Sequence, residues 1–292
     1  MGKSSHGSIF EVAATVVSHQ HFSGKQHILK LQAPVIAQTA KPGTFVHMQC
    51  GPELLLRRPL SIMRVSASQG WIELLYKEVG KGTRLLANRK ENDQVAVLGP
   101  IGQPFEIHDD RPRRLLIGGG VGLPPMVFLA DTLKNRDDIS KSFAILGSEV
   151  AFPFQAMPSN IIIPGIPEDT IATMPLLENW GLACRLCSLQ GYSGCYNGYV
   201  TKLARHWLEA LDSAQRKQVE IFSCGPHAML ESVAKLSQEY NIACQVSLEE
   251  FMACAVGGCA GCVVKIKTGD TVAMKRVCVD GPVFDATTVF YS

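Results

Sequence analysis

Short runs of β-branched, aromatic and aliphatic residues, separated by turn signals, fill the first hundred positions of the chain. These runs predict six strands, at residues 10–17, 27–31, 45–49, 60–65, 71–76 and 94–98. Glycine and proline mark turns between them, as in Lys41-Pro42-Gly43. Several short strands at this spacing indicate an antiparallel barrel or sandwich. One short helix is predicted to begin near Gly82.

The pattern changes at Arg111, after which predicted strands and helices alternate. The predicted strands cover residues 115–118, 142–147 and 219–223. Six apolar residues at helical spacing predict the buried face of one helix: Val200, Leu203, Ala204, Trp207, Leu208 and Leu211. A second helix is predicted around residues 229–236. This alternation is typical of a parallel α/β sheet, whereas the proline-rich stretch at 150–180 yields no prediction.

A chain of 292 residues has room for two or three domains. We predict a β-barrel over residues 1–110, an α/β domain over residues 111–246, and a small cysteine- and glycine-rich domain over residues 247–292. The predicted fold class is therefore a β-barrel plus an α/β domain, with a small C-terminal unit.

Composition narrows the function classes. Hydrophobic residues make up 46% of the chain, which is typical of a globular core rather than a disordered protein. A net charge of +2 without a long basic run favours neither nucleic acid nor an anionic membrane. No apolar run has the length of a membrane span. Residues 1–6 lack the apolar core of a signal peptide, so we expect a cytoplasmic location.

The strongest chemical signal is a group of four cysteines near the C-terminus with the spacing C-x4-C-x2-C-x15-C: Cys254, Cys259, Cys262 and Cys278. The first three intervals are those of plant-type [2Fe-2S] ferredoxins. Glycines between these cysteines allow a tight loop whose N–H groups point at the cluster sulfurs. The alternatives that stay open are a structural zinc site and cysteines packed as small apolar residues.

A second cysteine pair, Cys184 and Cys187, has the C-x-x-C spacing of redox motifs. It falls within a predicted strand at residues 182–189. Successive side chains alternate between the faces of a strand, so these two thiols should point in opposite directions. We therefore expect packed thiols at these positions and not a redox pair.

Three short motifs in the predicted barrel form a candidate flavin site: Arg58, Pro59, Leu60 and Ser61, then Leu75, Tyr76 and Lys77, then Gly82 and Thr83. An arginine offers a bidentate fork to a pyrophosphate. Gly82 and Thr83 at a helix start would offer N–H groups and a hydroxyl to the same phosphates. Ser61 is a candidate hydrogen-bond partner for the edge of the flavin ring.

Two motifs in the α/β domain each follow a strand and precede a helix. They are Gly120, Gly122 and Pro125, and then Cys224, Gly225 and Pro226. The glycines let a pyrophosphate approach the backbone where the helix N-terminus favours negative charge. Glu149 follows the predicted strand at residues 142–147, and its carboxylate would bind a ribose hydroxyl and repel a 2′-phosphate. Our hypothesis is therefore that the protein uses NADH and not NADPH.

These motifs together resemble the ferredoxin–NADP reductase superfamily, in which an FAD-binding barrel precedes a nicotinamide-binding domain. Arg58 and Ser61 match its flavin signature, and Leu60 replaces the usual aromatic residue, so Tyr76 is the candidate for a ring contact instead. Gly120, Gly122 and Pro125 match its G-x-G-x-x-P motif. The resemblance implies that Cys224 lies beside the nicotinamide ring.

Residues 248–284 narrow the resemblance further. Leu248-Glu-Glu-Phe-Met-Ala-Cys254 and Lys275-Arg-Val-Cys278-Val-Asp-Gly-Pro-Val-Phe284 are similar to the electron-transfer subunit family of dihydroorotate dehydrogenase B. This resemblance implies an oxidoreductase that carries FAD, a [2Fe-2S] cluster and NAD(H). It also implies an FMN-containing catalytic partner that oxidises dihydroorotate to orotate, in a heterotetramer with two copies of each subunit. No general acid or base is implied.

Two other interpretations stay open. The small subunits of sulfide dehydrogenase and of NADH-dependent ferredoxin:NADP oxidoreductase look similar, and only the partner protein distinguishes them. A non-catalytic redox sensor or zinc-stabilised module is the alternative from another class, and it requires the flavin and nicotinamide motifs to be idle.

Overall fold

The computed structural model describes residues 9–291, and it confirms the combination of a barrel with an α/β sheet. The barrel strands are β1 (Phe10–Phe22), β2 (Gln26–Gln32), β3 (Phe45–Met48), β4 (Arg58–Ser66), β5 (Trp71–Lys77) and β6 (Gln94–Ile101). They pair antiparallel in the order β1-β2-β5-β4-β3-β6, and β6 closes the barrel on β1. Two helices accompany them, α1 (Pro34–Thr39) and α2 (Lys81–Ala87).

The barrel interior follows from alternation along the strands. In β5, Ile72, Leu74 and Tyr76 belong to the barrel core, whereas Leu75 packs on the other side with residues of the α/β unit. Closure of the sheet removes free strand edges, which would otherwise be open to pairing with other chains.

The α/β unit and the C-terminal segment contain ten further strands: β7 (Arg113–Gly119), β8 (Phe143–Gly147), β9 (Met157–Pro158), β10 (Ala172–Thr173), β11 (Ala183–Cys187), β12 (Val219–Cys224), β13 (Ala243–Ser247), β14 (Val263–Thr268), β15 (Thr271–Arg276) and β16 (Val283–Asp285). Six of them form the main sheet in the order β11-β8-β7-β12-β13-β16. The first five are parallel and β16 is antiparallel. Strands β9 and β10 form one small sheet, and β14 and β15 form another.

The helices of this region are α3 (Leu123–Leu133), α4 (Pro175–Asn179), α5 (Val200–Ala210), α6 (Ser213–Lys217), α7 (His227–Tyr240) and α8 (Ala286–Val289). Helix α5 confirms the predicted apolar face, since its residues at 200, 203, 204, 207 and 208 are buried. Cys184 and Cys187 lie in β11 and belong to different core clusters, so the two thiols face opposite sides of the sheet as expected.

The C-terminal segment packs tightly against the α/β unit. Strand β16 extends the main sheet beside β13, and the buried side chains of Met252, Cys262 and Cys278 belong to the same apolar cluster as the sheet. The predicted division at residue 246 therefore separates units that share one core. Among the described residues, no helix is long and apolar enough to cross a membrane. The signal-peptide expectation at residues 1–6 lies outside the described residues.

Candidate functional site

The four cysteines of the C-terminal motif come from two places in the chain. Three lie in the loop between β13 and β14, and Cys278 follows β15. Cys262 and Cys278 are buried, with their Sγ atoms 3.3 Å apart, whereas Cys259 is exposed. Three residues of the loop, Ala255, Gly257 and Ala260, have positive φ angles, which turn the backbone around the sulfurs.

Backbone N–H groups of this loop donate to the sulfurs. The N–H of Cys259 lies 3.4 Å from Cys254 Sγ, and the N–H of Gly261 lies 3.4 Å from Cys259 Sγ. Burial raises the pKa of the Cys254 thiol, but N–H donation from Val256 and Cys259 outweighs it and lowers the pKa to about 7. The loop therefore stabilises a thiolate, which is the form that binds iron.

In the buried pair, Cys262 and Cys278, the pKa of the Cys278 thiol is raised and not lowered. Burial, followed by the hydrogen bond from Cys262, raises the pKa of Cys278 to about 12. Iron bound by both sulfurs would displace the proton that Cys262 donates to Cys278. Four thiol donors, with N–H groups directed at two of them, fit a [2Fe-2S] cluster.

The candidate flavin residues meet at the start of α2. A Cβ atom on Gly82 would lie 2.9 Å from Arg58 Nε, so the guanidinium lies directly against the first turn of this helix. The hydroxyl of Thr83 accepts from the N–H groups of Val79 at 2.9 Å and Gly80 at 3.2 Å. The structure therefore brings Arg58, Gly82 and Thr83 together, and a positive charge beside free helix N–H groups suits a pyrophosphate.

The structure places Tyr76, the candidate for a contact with the flavin ring, inside the barrel. Its side chain is only 1% exposed and stacks on His27 within the barrel, with ring centroids 4.9 Å apart. Its hydroxyl lies 2.9 Å from His19 Nε2. Alternation along β5 turns this side chain inward, so its ring lies away from the outer face of the barrel. Leu60 is half-buried against the barrel core.

The two nicotinamide motifs meet at the switch point of the main sheet. Strands β7 and β12 are adjacent, and the chain continues outward from them in opposite directions, to β8 and to β13. Ligands of open α/β sheets bind at such a point, beyond the carboxyl ends of the strands. Gly120 and Gly122 follow β7. Cys224 is the last residue of β12, and Gly225 comes directly after it.

Contact between these two loops is close. A Cβ atom on Gly122 would lie 2.2 Å from the Cys224 carbonyl oxygen and 2.5 Å from Gly225 nitrogen. At Gly120 a Cβ atom would meet nothing within 4 Å, so this part of the loop is open. Pro125 lies in the first turn of α3, and Pro226 is the N-cap residue of α7. Glu149 is exposed just beyond β8, at the same edge of the sheet.

One surface feature did not emerge from the sequence. Four exposed apolar side chains lie in the loop before β4 and in the cysteine loop: Leu55, Leu56, Phe251 and Val256. Leu55 is 98% exposed and Phe251 is 93% exposed. His47 connects the two loops, because its imidazole faces the backbone of both Arg57 and Met252. We call these four side chains the apolar rim. The one sign of it in the sequence was a run of consecutive leucines between two predicted strands.

The chain has a closed antiparallel barrel, followed by a parallel sheet with a glycine loop at its switch point. This is the fold of the ferredoxin reductase-like class of proteins. A solved structure described as NADH-dependent reduced ferredoxin-NADP oxidoreductase shares this fold with a TM-score of 0.76, at 24% identity over 95% of this chain and 90% of that chain. The ferredoxin reductase of carbazole 1,9a-dioxygenase gives a TM-score of 0.61 at 20% identity, over 80% of this chain and 67% of that chain.

Sequence comparison places the chain within this class. Residues 249–290 match the family model described as the iron-sulfur cluster binding domain of dihydroorotate dehydrogenase B. The chain is 32% identical to the dihydroorotate dehydrogenase B (NAD(+)) electron transfer subunit of Desulforamulus reducens, over 91% of this chain and 92% of that protein. It is 34% identical to the same subunit of Geobacillus thermodenitrificans, over 94% and 96%. The chain belongs to the family of dihydroorotate dehydrogenase B electron transfer subunits.

Proposed function

We propose that this protein transfers electrons between NAD(H) and a separate FMN-containing subunit that interconverts dihydroorotate and orotate in pyrimidine biosynthesis. The observation that carries the proposal is the group of four cysteines, of which Cys259 is exposed and Cys262 and Cys278 are buried, with N–H donors from the cysteine loop. Family membership over nearly the whole chain supports the same substrate.

The chemistry requires all three cofactors. A bound flavin supplies the conversion between a two-electron hydride and single electrons, since an iron–sulfur cluster accepts only one electron at a time. Residues of this chain position the cofactors and tune their potentials. No side chain needs to act as a general acid or base.

The candidate residues divide among three cofactors in this proposal. Arg58 neutralises the flavin pyrophosphate at the start of α2, and the backbone of residues 75–77 lines the same site. Gly120 and Gly122 leave the backbone open to the dinucleotide pyrophosphate, and Cys224 lies beside the nicotinamide. Cys254, Cys259, Cys262 and Cys278 hold the [2Fe-2S] cluster, with Cys259 at the surface.

We further propose that NADH is the coenzyme, because the exposed Glu149 carboxylate would repel a 2′-phosphate. A comparison of the two coenzymes should give the higher kcat/KM with NADH. Tighter use of NADPH would contradict the role of Glu149. We place the protein in the cytoplasm, since its ten cysteines suit a reducing compartment.

We propose that the apolar rim is the docking surface for the catalytic subunit. Large exposed apolar side chains on neighbouring loops are typical of interaction sites, and Val256 lies within the cysteine loop itself. A partner seated there would lie beside Cys259. We propose a heterotetramer with two copies of each subunit, which size measurement of the co-purified complex would test.

The test is reconstitution with an FMN-containing dihydroorotate dehydrogenase subunit. Adding this protein should couple dihydroorotate oxidation to reduction of NAD⁺. A Cys259→Ser variant should not support that coupling. If the protein reduces ferredoxin or sulfide-derived acceptors with NADH but never couples to dihydroorotate, the alternative reductase interpretation replaces this proposal.

A further inference from the structure

Three histidines form a cluster at one end of the barrel, outside the flavin, nicotinamide and cysteine motifs. His19 and His21 lie near the end of β1, and His27 lies near the start of β2. Each ring offers a nitrogen, and the three nitrogens all lie within 4.8 Å of one another. His27 is buried, His19 is half-buried and His21 is exposed.

Strand pairing explains why the rings converge. His21 lies directly opposite His27 across the β1–β2 ladder, and His19 is two residues back on the same face of β1. The His21 and His27 Nδ1 atoms lie 2.9 Å apart. The His19 ring centroid lies 4.8 Å from that of His21 and 5.6 Å from that of His27.

The hydrogen bonds of His19 orient it as a metal ligand. Its Nδ1 lies 2.8 Å from the carbonyl oxygen of Arg89. A carbonyl oxygen only accepts, so Nδ1 carries the proton and donates it, which leaves Nε2 as the acceptor of the Tyr76 hydroxyl. Metal-bound histidines are held in this way, with the second ring nitrogen donating to a backbone carbonyl or carboxylate. The Tyr76 hydroxyl lies 2.9 Å from that Nε2 atom.

Protein groups alone leave the cluster incompletely satisfied. His27 Nε2 is buried without a hydrogen-bond partner, although buried polar atoms are normally paired. Neutral imidazoles are the form that binds metal, and a cation bound here would replace the hydrogen bonds between Tyr76 and His19 and between His21 and His27.

We propose that His19, His21 and His27 bind one divalent cation of the zinc class. Imidazole nitrogen suits Zn²⁺, Cu²⁺ and Ni²⁺, whereas Mg²⁺ and Ca²⁺ require oxygen ligands that this cluster does not offer. Three protein nitrogens with one position open to water complete a tetrahedral site, and the exposed side of His21 provides that access.

The site joins elements that carry the candidate flavin residues. His19 hydrogen-bonds the backbone of Arg89, which follows α2, and the hydroxyl of Tyr76, which is itself a candidate flavin residue on β5. A cation bound to the β1–β2 hairpin would therefore stabilise the barrel end that supports α2. This inference is independent of the proposed electron transfer to dihydroorotate.

The test is calorimetric titration of ZnCl₂ into protein that carries FAD and its iron–sulfur cluster, with MgCl₂ as the metal control. The wild type should bind one equivalent of Zn²⁺ and no Mg²⁺, and its melting temperature should rise with Zn²⁺. His21→Ala should weaken Zn²⁺ binding by about tenfold or more, since even outer-shell changes cost 10–100-fold. His21 is exposed, so this variant should fold normally.

His206→Ala is the matched control, because His206 is an exposed histidine far from the cluster in the sequence, and it should bind Zn²⁺ like the wild type. Equal Zn²⁺ affinity in the His21 variant would overturn the site. Absence of Zn²⁺ binding to the wild type would do the same. Zn²⁺ binding that releases iron in proportion would place the metal at the cysteines and also contradict the proposal.

Discussion

Cys259 and Arg58 are the two residues that the proposal assigns to different cofactors, the [2Fe-2S] cluster and FAD. Cys259 is exposed, whereas Cys262 and Cys278 belong to the core shared with the sheet. Loss of the Cys259 sulfur therefore removes an iron ligand without opening a cavity in the core. Arg58 stands at the other site, against the first turn of α2.

Replacing Cys259 with serine should abolish or destabilise the cluster and leave FAD bound. Iron content and visible cluster absorbance should fall towards background, while flavin content and melting temperature stay close to the wild type. Cys195→Ser is the control, since Cys195 lies outside the quartet and should keep full iron content. Unchanged cluster absorbance in the Cys259 variant would contradict the ligand assignment.

Replacing Arg58 with alanine should weaken FAD binding by about 1.5–3 kcal/mol, through loss of a charged phosphate contact. Equilibrium titration of the deflavinated protein with FAD measures this change as roughly a ten- to hundredfold rise in Kd. Arg57→Ala is the matched control, because Arg57 pairs with Glu11 instead. Wild-type FAD affinity in the Arg58 variant would exclude this arginine from the site.

Spacing in the sequence singled out the candidate motifs but could not assign a direction to every side chain. Tyr76 shows the reason: a strand turns alternate residues to opposite faces, and the face that lies inside a barrel depends on closure with distant strands. The three-histidine cluster was missed for the same reason. His19, His21 and His27 converge only because the β1–β2 register places them opposite one another.

At the scale of elements, the junction of the loops after β7 and β12 depends on two glycines in different ways. Gly122 faces backbone atoms of the second loop, whereas Gly120 has a φ of 55° and open space beside its Cα. A substitution at Gly122 therefore tests how the two loops pack, whereas a substitution at Gly120 tests how a ligand reaches them.

Gly122→Ala should destabilise the fold and impair NADH binding, because its Cβ would meet Cys224 and Gly225 backbone atoms and force the loops apart. We expect a loss of about 1–3 kcal/mol, the usual cost of overpacking, measured by chemical denaturation. Gly120→Ala should cost about 1–2 kcal/mol for its left-handed backbone conformation, with weaker NADH binding but no clash inside the protein. Equal NADH affinity in the Gly122 variant and the wild type would contradict the assigned site.

Secondary structure was predictable where apolar periodicity was strong, as in α5 and in strands β7, β8, β11 and β12 of the main sheet, whereas β13 was not predicted. Strand β1 runs five residues past the predicted end at residue 17, because its last part is held by pairing with β2 and not by apolar alternation. The stretch at 150–180 contains only two-residue strands and a short helix, so it had no period to detect. Strand β16 is three residues long and depends on β13.

At the scale of the whole molecule, the apolar rim and the cysteine loop share one face, which is the surface we assign to the catalytic subunit. Phe251→Ser should weaken association with that subunit by about 2 kcal/mol or more, the cost typical of an interface hot spot. Reduction of FAD by NADH should not change. Ile162→Ser is the control, as Ile162 is equally exposed on the α/β unit. Unaltered association of the Phe251 variant, measured by sedimentation, would place the interface elsewhere.

The central claim is a chain of electron carriers from NADH through FAD to a [2Fe-2S] cluster within one polypeptide. Absorption and low-temperature EPR spectra of anaerobically purified protein, before and after addition of NADH, test it most directly. We predict flavin absorption that bleaches with NADH, together with the appearance of a rhombic signal of a reduced [2Fe-2S] cluster. A flavin-free, EPR-silent protein with zinc at the four cysteines would contradict the account.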